Sequence, residues 1–291
     1  MIPQLYTPVP VSPMAFRLDF GSGVVSMGSC FADEVGQRLQ RSGFKVELNP
    51  FGTLYNPSSI AAALQRMVED REITVADIVE HEGLWHSWHH HGSFSRHSID
   101  DTLRACNDGI HQAHIALRDT NLLMVTFGTA WVFERVPGGE VVANCHKLPQ
   151  SMFIHRMMSV GEIVEAWNRV VSMLAEFNPA LSVLFTVSPI RHMADGAHGN
   201  QLSKSTLLLA VDEIVGHNAD RMRLEYFPAY EIVLDELRDY RFYASDMTHP
   251  APLAVDVVWD RLKQACMSPS VAQQAHNNEK QFKRQQHIPL H

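Results

Sequence analysis

The chain has 291 residues, 45% of them hydrophobic, and a formal net charge of −8. That length and apolar content suffice for one full core, and the acidic balance, with no Lys/Arg run, excludes a nonspecific nucleic-acid binder. No apolar stretch reaches the roughly 20 residues that a bilayer-spanning helix needs. Met1 to Arg17 lacks a basic segment followed by an apolar one, and Cys30, Cys106, Cys145 and Cys266 are far apart with no CxxC pair. Both features fit reduced thiols in a cytoplasmic protein with no membrane partner.

In chain order, short apolar runs bounded by Gly, Ser or Pro predict strands at 24–27, 122–127, 181–187 and 223–227, as expected of strands buried on both faces of a parallel sheet. Helical periodicity lies between and around them at 31–40, 58–68, 160–177, 203–217 and 252–266. This alternation predicts a doubly wound α/β sheet with its functional groups at the C-terminal strand ends. Two segments interrupt it. Residues 73–104 are rich in His and Trp and read as an insertion over the active face. Residues 131–145 read as a β-hairpin around Pro137-Gly138-Gly139. Past 268 the chain turns polar and aperiodic, so a single domain over 1–267 and a disordered or marginally helical tail over 268–291 are expected.

The chemistry concentrates in two places. After the first predicted strand, Gly28 releases Ser29-Cys30 into a helix, where the positive end of the dipole favours a thiolate or a developing oxyanion. Near the other end, Asp246-Met247-Thr248-His249-Pro250 sets a carboxylate three residues before an imidazole. These supply a base and the group that orients it, which a Ser or Cys nucleophile lacks alone.

These residues resemble a known family. The string GSCFA (28–32) is the signature of the GSCFA family, which is grouped with the SGNH/GDSL esterases and acyltransferases. Similar blocks follow at NPFGTLYNP (49–57), FGTAWVF (127–133), NCHKLP (144–149), VSPIRH (187–192) with a following DG, SKSTL (203–207) and 227–250. The resemblance covers about 28–259 and implies a three-layer SGNH-hydrolase, flavodoxin-like fold. In the SGNH pattern the nucleophile follows Gly and Asp. Aligning Gly28 with that Gly puts Ser29 at the Asp position and Cys30 at the attacking position; the alternative is attack by Ser29 with Cys30 packed behind it. The superfamily's oxyanion donors are the nucleophile's N–H, a glycine N–H and an asparagine side chain. Gly52 is the glycine candidate. The Gly-x-Asn-Asp block is absent after the second predicted strand, where Gly128-Thr129-Ala130-Trp131 stands instead, so Asn144 or His146 is a candidate replacement donor.

The cluster Trp85, His86, Trp88, His89, His90, His91 and His97 has imidazoles at spacings compatible with zinc. No acidic or thiol ligand stands beside them, and adjacent residues of an extended segment face opposite ways. No metal is therefore expected. The cluster reads instead as a wall contacting a polar, sugar-like substrate, with His89 among the candidates. Arg191 and His192 lie just past a strand end and are substrate-binding candidates, Arg191 for an anionic group. No dinucleotide fingerprint, P-loop, HExxH or GxSxG elbow occurs, so no cofactor is expected. The reading is an esterase or carbohydrate O-deacetylase acting through Cys30 or Ser29 with Asp246 and His249. An O-acyltransferase and a binding protein on a degenerate SGNH fold are the alternatives.

Overall fold

The structure is a computed structural model that describes residues 6–286. Its centre is a five-stranded parallel sheet of β1 (Gly23–Gly28), β2 (Lys45–Leu48), β5 (Leu122–Phe127), β9 (Ser182–Val187) and β10 (Arg223–Tyr226), in the order β10-β9-β5-β1-β2. Side chains alternate across it. Val25 and Met27 of β1, Leu123, Val125 and Phe127 of β5, and Val183, Phe185 and Val187 of β9 share one core with helices α2 (Pro57–Glu69), α3 (Ile99–Arg118), α4 (Val160–Phe177) and α5 (Gly196–His217). Val24, Leu122, Met124 and Leu184 face the other way, onto α1 (Cys30–Arg41) and α7 (Pro252–Cys266). Period-two alternation of apolar residues thus builds three layers. The order reverses between β1 and β5, so the crevice at the ends of those two strands is the topological switch point.

Two small antiparallel sheets decorate this frame. β3 (Ile78–His81) pairs with β4 (Leu84–Ser87), which places a hairpin inside the 73–104 segment. β6 (Trp131–Arg135) pairs with both β7 (Val141–Val142) and β8 (Phe153–Met157), so the predicted hairpin is part of a three-stranded sheet. A short turn of helix, α6 (Ala229–Glu231), follows β10.

Two elements depart from the sequence expectations, and the tail takes the helical one of its two expected forms. β2 is an edge strand with charged Lys45 and Glu47, so it lacks the continuous apolar run of its neighbours. α3 carries its buried stripe on Thr102, Cys106, Ile110, Ala113 and Leu117, a helical spacing interrupted by Asp, Asn and His. The polar tail contains a helix, α8 (Pro269–Gln286). Glu279 accepts bonds from Trp259 Nε1 and Ser42 Oγ, both at 2.7 Å, and Asn278 Nδ2 donates to the Ser42 carbonyl. A few polar anchors and buried Ala275 hold it without an apolar period. Residues 287–291 of the tail, like the first five residues, lie outside the described residues.

Candidate active site

Gly28 makes the strand-to-helix turn at φ 140°, and a Cβ there would meet the Thr126 carbonyl oxygen at 2.2 Å, so only glycine fits. Ser29 then caps α1: its Oγ accepts from Phe31 N at 3.3 Å, and the residue is fully buried. Cys30 is the first helical residue, half-buried, with Sγ 3.5 Å from the Tyr55 hydroxyl. Burial and the neighbouring Cys30 push Tyr55 well above the usual phenol range, which keeps its hydroxyl protonated and able to donate to sulfur.

Cys30 and Ser29 both line a cavity of about 730 Å³ that also contains Thr248, His249, Arg191 and His192. The Asp246–His249 pair is formed. His249 Nδ1 lies 2.6 Å from Asp246 Oδ2, and Asp246 Oδ1 accepts from the backbone N–H groups of Thr248 (2.9 Å) and His249 (3.0 Å). Those bonds hold the Asp246 carboxyl well below the usual carboxylate range. An ionised carboxylate only accepts, so Nδ1 carries a proton, and the neutral form of the ring presents its lone pair at Nε2. Among the described residues His249 makes no hydrogen bond to Cys30 or Ser29, so the two halves of the site share the cavity without touching through one. Arg191 anchors the histidine loop: its N–H donates to the Thr248 carbonyl (3.1 Å) and Nη1 to the Met247 carbonyl (3.3 Å).

Three sequence candidates point elsewhere. Gly52 donates to the Asn49 carbonyl at 2.7 Å, and a Cβ on it would strike His91, so it packs against the insertion. His146 bonds the Ser87 carbonyl at 2.8 Å and stacks on His86, and burial lowers its pKa to about 4. His89 sits between Asp77 (3.0 Å) and Arg66 (2.8 Å). His86 and His90 are likewise engaged, with Ser95 and Ser87, and none of the insertion's imidazoles lines the cavity. The insertion stands behind the walls: His91 N bonds the Phe51 carbonyl and Ala143 N bonds the Trp88 carbonyl. Asn144 does line the cavity, with its Oδ1 spent on His146 N at 2.7 Å. Cys145 lines it too, but burial pushes its thiol up to about 11, so it stays protonated. Among the described residues no group of three or more His, Cys, Asp or Glu is placed to hold a metal ion, and no helix is long and apolar enough to cross a membrane.

The aromatic wall comes from β6 and β8. Phe133 and His155 stack at 4.3 Å, Trp131 lies 4.8 Å from the same imidazole, and Asp195 approaches His155 Nδ1 at 3.6 Å. All four residues line the cavity. Hairpin alternation puts Trp131 and Phe133 on one face, but only the β6–β8 register, which pairs Phe133 with His155, joins them to β8.

The block SKSTL turns out to brace the turn after β5. Ser203 Oγ accepts from Ala130 N at 2.8 Å, and Lys204, 1% exposed, donates to the carbonyls of Gly128 (2.6 Å) and Ser188 (2.7 Å). Burial lowers the Lys204 pKa to about 7. Lys204→Met is expected to destabilise the protein by about 2–4 kcal/mol, because two buried carbonyls lose their donor. Urea midpoints test this; an unchanged midpoint would mean that relief of the buried amine offsets the loss.

A family model described as the GSCFA family matches residues 23–262. The chain belongs to the GSCFA family. No curated protein matches it. Among solved structures, this GSCFA protein is similar to a family 3 carbohydrate esterase of Clostridium thermocellum, with a TM-score of 0.38, 7% identity, and 84% of this chain and 94% of that one covered. It is also similar to Est2A, an acetyl xylan esterase from the rumen bacterium Butyrivibrio proteoclasticus. There the TM-score is 0.40 with 10% identity, and 89% of this chain and 66% of that one are covered.

Proposed function

We propose that this GSCFA protein is an SGNH-type ester hydrolase that forms an acyl-enzyme on Cys30, with His249 as general base and Asp246 as the group that orients it. The observation that carries the reading is the shared cavity. A half-buried thiol at the N-terminus of α1 and an imidazole held by a carboxylate at 2.6 Å open onto one space at the switch point of the sheet. Ser29 is the weaker nucleophile because its Oγ is buried and committed to capping α1.

In the reaction, His249 Nε2 takes the Cys30 proton and the sulfur forms a bond to the ester carbonyl carbon while the π pair moves to oxygen. The tetrahedral intermediate re-forms C=O and expels the alkoxide, which takes the proton back from His249. Water then attacks the thioester by the same steps, releasing the carboxylic acid and restoring the thiol. The bond between His249 and Cys30 forms in the substrate complex, since catalytic contacts are often looser in unliganded sites. An acceptor alcohol in place of water gives acyl transfer, and product analysis separates the two outcomes.

The wall of Trp131, Phe133 and His155, with Asp195 at its edge, suits a sugar ring, whose apolar face stacks on aromatics while its hydroxyls find polar partners. A carbohydrate O-deacetylase is the substrate reading this favours. Phe133→Ala is expected to raise KM for an acetylated sugar about 5- to 10-fold with little change in kcat, as loss of one aromatic contact in ground and transition states alike should do. A change confined to kcat would remove Phe133 from substrate binding.

The test of the whole reading is turnover of an acyl-ester panel that includes O-acetylated sugars, with and without iodoacetamide, and intact-mass analysis after rapid acid quench. An acyl adduct mapped to Cys30 and its loss on alkylation are expected. Turnover indifferent to alkylation, or no adduct and no turnover with any ester, would overturn it.

A further inference from the structure

The turn after β5 lacks the asparagine whose amide serves as an oxyanion donor in the SGNH pattern. Gly128 occupies its start, and its N–H is spent on the Tyr55 carbonyl at 2.7 Å. A different side chain fills that place. A Cβ built on Gly128 would lie 3.2 Å from Nε2 of His192, 3.3 Å from Ser29 Cβ and 3.1 Å from the Tyr55 carbonyl oxygen. The imidazole nitrogen therefore stands over a bare glycine, beside the residue that precedes Cys30, and a side chain at 128 would displace it. Nε2 has no hydrogen-bond partner among the described residues and is covered in this unliganded structure, so the ring has to turn toward Cys30 for Nε2 to meet an ester oxygen. A buried nitrogen left unpaired costs about 1–3 kcal/mol, and of the five such side-chain atoms among the described residues, which include Nε2 of His90, only that of His192 belongs to a residue lining the cavity.

We propose that the Nε2–H of His192 is the side-chain donor of the oxyanion hole, acting together with the backbone N–H of Cys30 at the first position of α1. The assignment rests on the acyl-enzyme reading above and adds the group that stabilises its intermediate. A neutral imidazole is what this task requires, since a donor that keeps its proton stabilises the developing oxyanion without consuming a step. The surroundings keep it neutral. Burial acts first, then the Lys204 ammonium from α5 and the His249 ring from the loop before α7, and together they lower the His192 pKa to about 4. Tyr55, edge-on at 5.7 Å from the segment before α2, adds no charge. The backbone that carries the ring is fixed: His192 N donates to Asn200 Oδ1 at 2.9 Å. Two asparagine amides line the same cavity: Asn56, whose Oδ1 caps α2 through Ser59 N at 2.8 Å, and Asn144, whose Oδ1 accepts from His146 N at 2.7 Å.

The experiment compares wild type, His192→Ala, His192→Gln and Asn56→Ser, all first checked for cooperative unfolding. Steady-state kinetics on the best ester of the panel are measured from pH 5.5 to 9, together with binding of an aldehyde that adds reversibly to Cys30 and mimics the oxyanion. His192→Ala is expected to lower kcat on the order of 100- to 1,000-fold with KM nearly unchanged, by the same factor at every pH. Aldehyde affinity should fall by at least about tenfold, while iodoacetamide still alkylates Cys30. His192→Gln, which returns an N–H at similar reach, should recover part of both losses, and Asn56→Ser should retain the cap and most of the activity. Loss of the acid limb of the rate profile in His192→Ala would make His192 the base instead. Equal activity of His192→Ala and wild type, or a loss confined to Asn56→Ser, would assign the donor elsewhere. A wild type that forms no acyl adduct and no aldehyde adduct would instead reject the acyl-enzyme reading itself.

Discussion

Cys30→Ala is expected to reduce ester turnover by at least about 10⁴-fold, whereas Ser29→Ala should keep activity within about tenfold of wild type. The contrast follows from where the two side chains stand. Both residues line the cavity, but Cys30 is only half-buried, its sulfur accepts from a hydroxyl that stays protonated, and it occupies the helix position with an unshared backbone N–H. The Ser29 hydroxyl is buried and works as the α1 cap, so its removal should cost stability of about 1 kcal/mol rather than catalysis. Asp33 in the first turn of α1 opposes a thiolate there, but its carboxylate is turned to Asn49 Nδ2 (2.7 Å) and Thr53 Oγ1 (3.1 Å). Rates from a purified preparation, with the thermal midpoint of each variant, decide the matter. An acyl adduct on the Cys30→Ala protein would transfer the role to Ser29.

What the sequence shows and what it hides follow from the range of the interactions involved. The strands at 122–127 and 181–187 are legible because burial on both faces demands uninterrupted apolar residues, a local signature. β2 pairs only along β1 and keeps Lys45 and Glu47, so no local signature exists. The pairs Ser29-Cys30 and Asp246-His249 are legible for the same reason: a cap, a helix start and an i,i+3 hydrogen bond are written within four residues. The orientation of Gly52, His89 and His146 is not local. Each is turned by a partner distant in sequence, His91, Arg66 and Ser87 respectively, and composition alone makes their imidazoles and glycine look like site material. The same distance hides the braces. Lys204 in a helical pattern reads as a surface residue until the structure brings it to the carbonyls of Gly128 and Ser188. His155 joins the cavity only through the register of β8 against β6. The crowding of histidines at 86–91 has a structural explanation: hydrogen bonds and ring stacking hold them behind the wall, with only Nε2 of His90 left unpaired among their buried ring nitrogens.

Asp246→Asn is expected to lower kcat by about 10³- to 10⁴-fold, close to the loss in His249→Ala, with the fold of the loop unchanged. The carboxylate does two separable jobs. Its Oδ1 receives the backbone N–H groups of Thr248 and His249, and an asparagine carbonyl can keep both bonds. Its Oδ2 receives the Nδ1–H of His249, and an asparagine that presents NH₂ there would favour the other tautomer. Nε2 would then carry the proton and offer no lone pair to the Cys30 thiol, so the base is lost although every heavy atom stays in place. On the proposed mechanism the two residues act as one unit, so the Asp246→Asn, His249→Ala double variant should be no slower than His249→Ala alone, within about threefold. Arg191, which ties this loop through the carbonyls of Met247 and Thr248, should show a smaller loss on Arg191→Ala, from a loosened loop rather than a missing base. Kinetics of the four variants at one saturating ester concentration suffice. Multiplicative losses in the double variant would show that Asp246 and His249 act on different steps, and full activity in Asp246→Asn would end the claim that the carboxylate sets the tautomer.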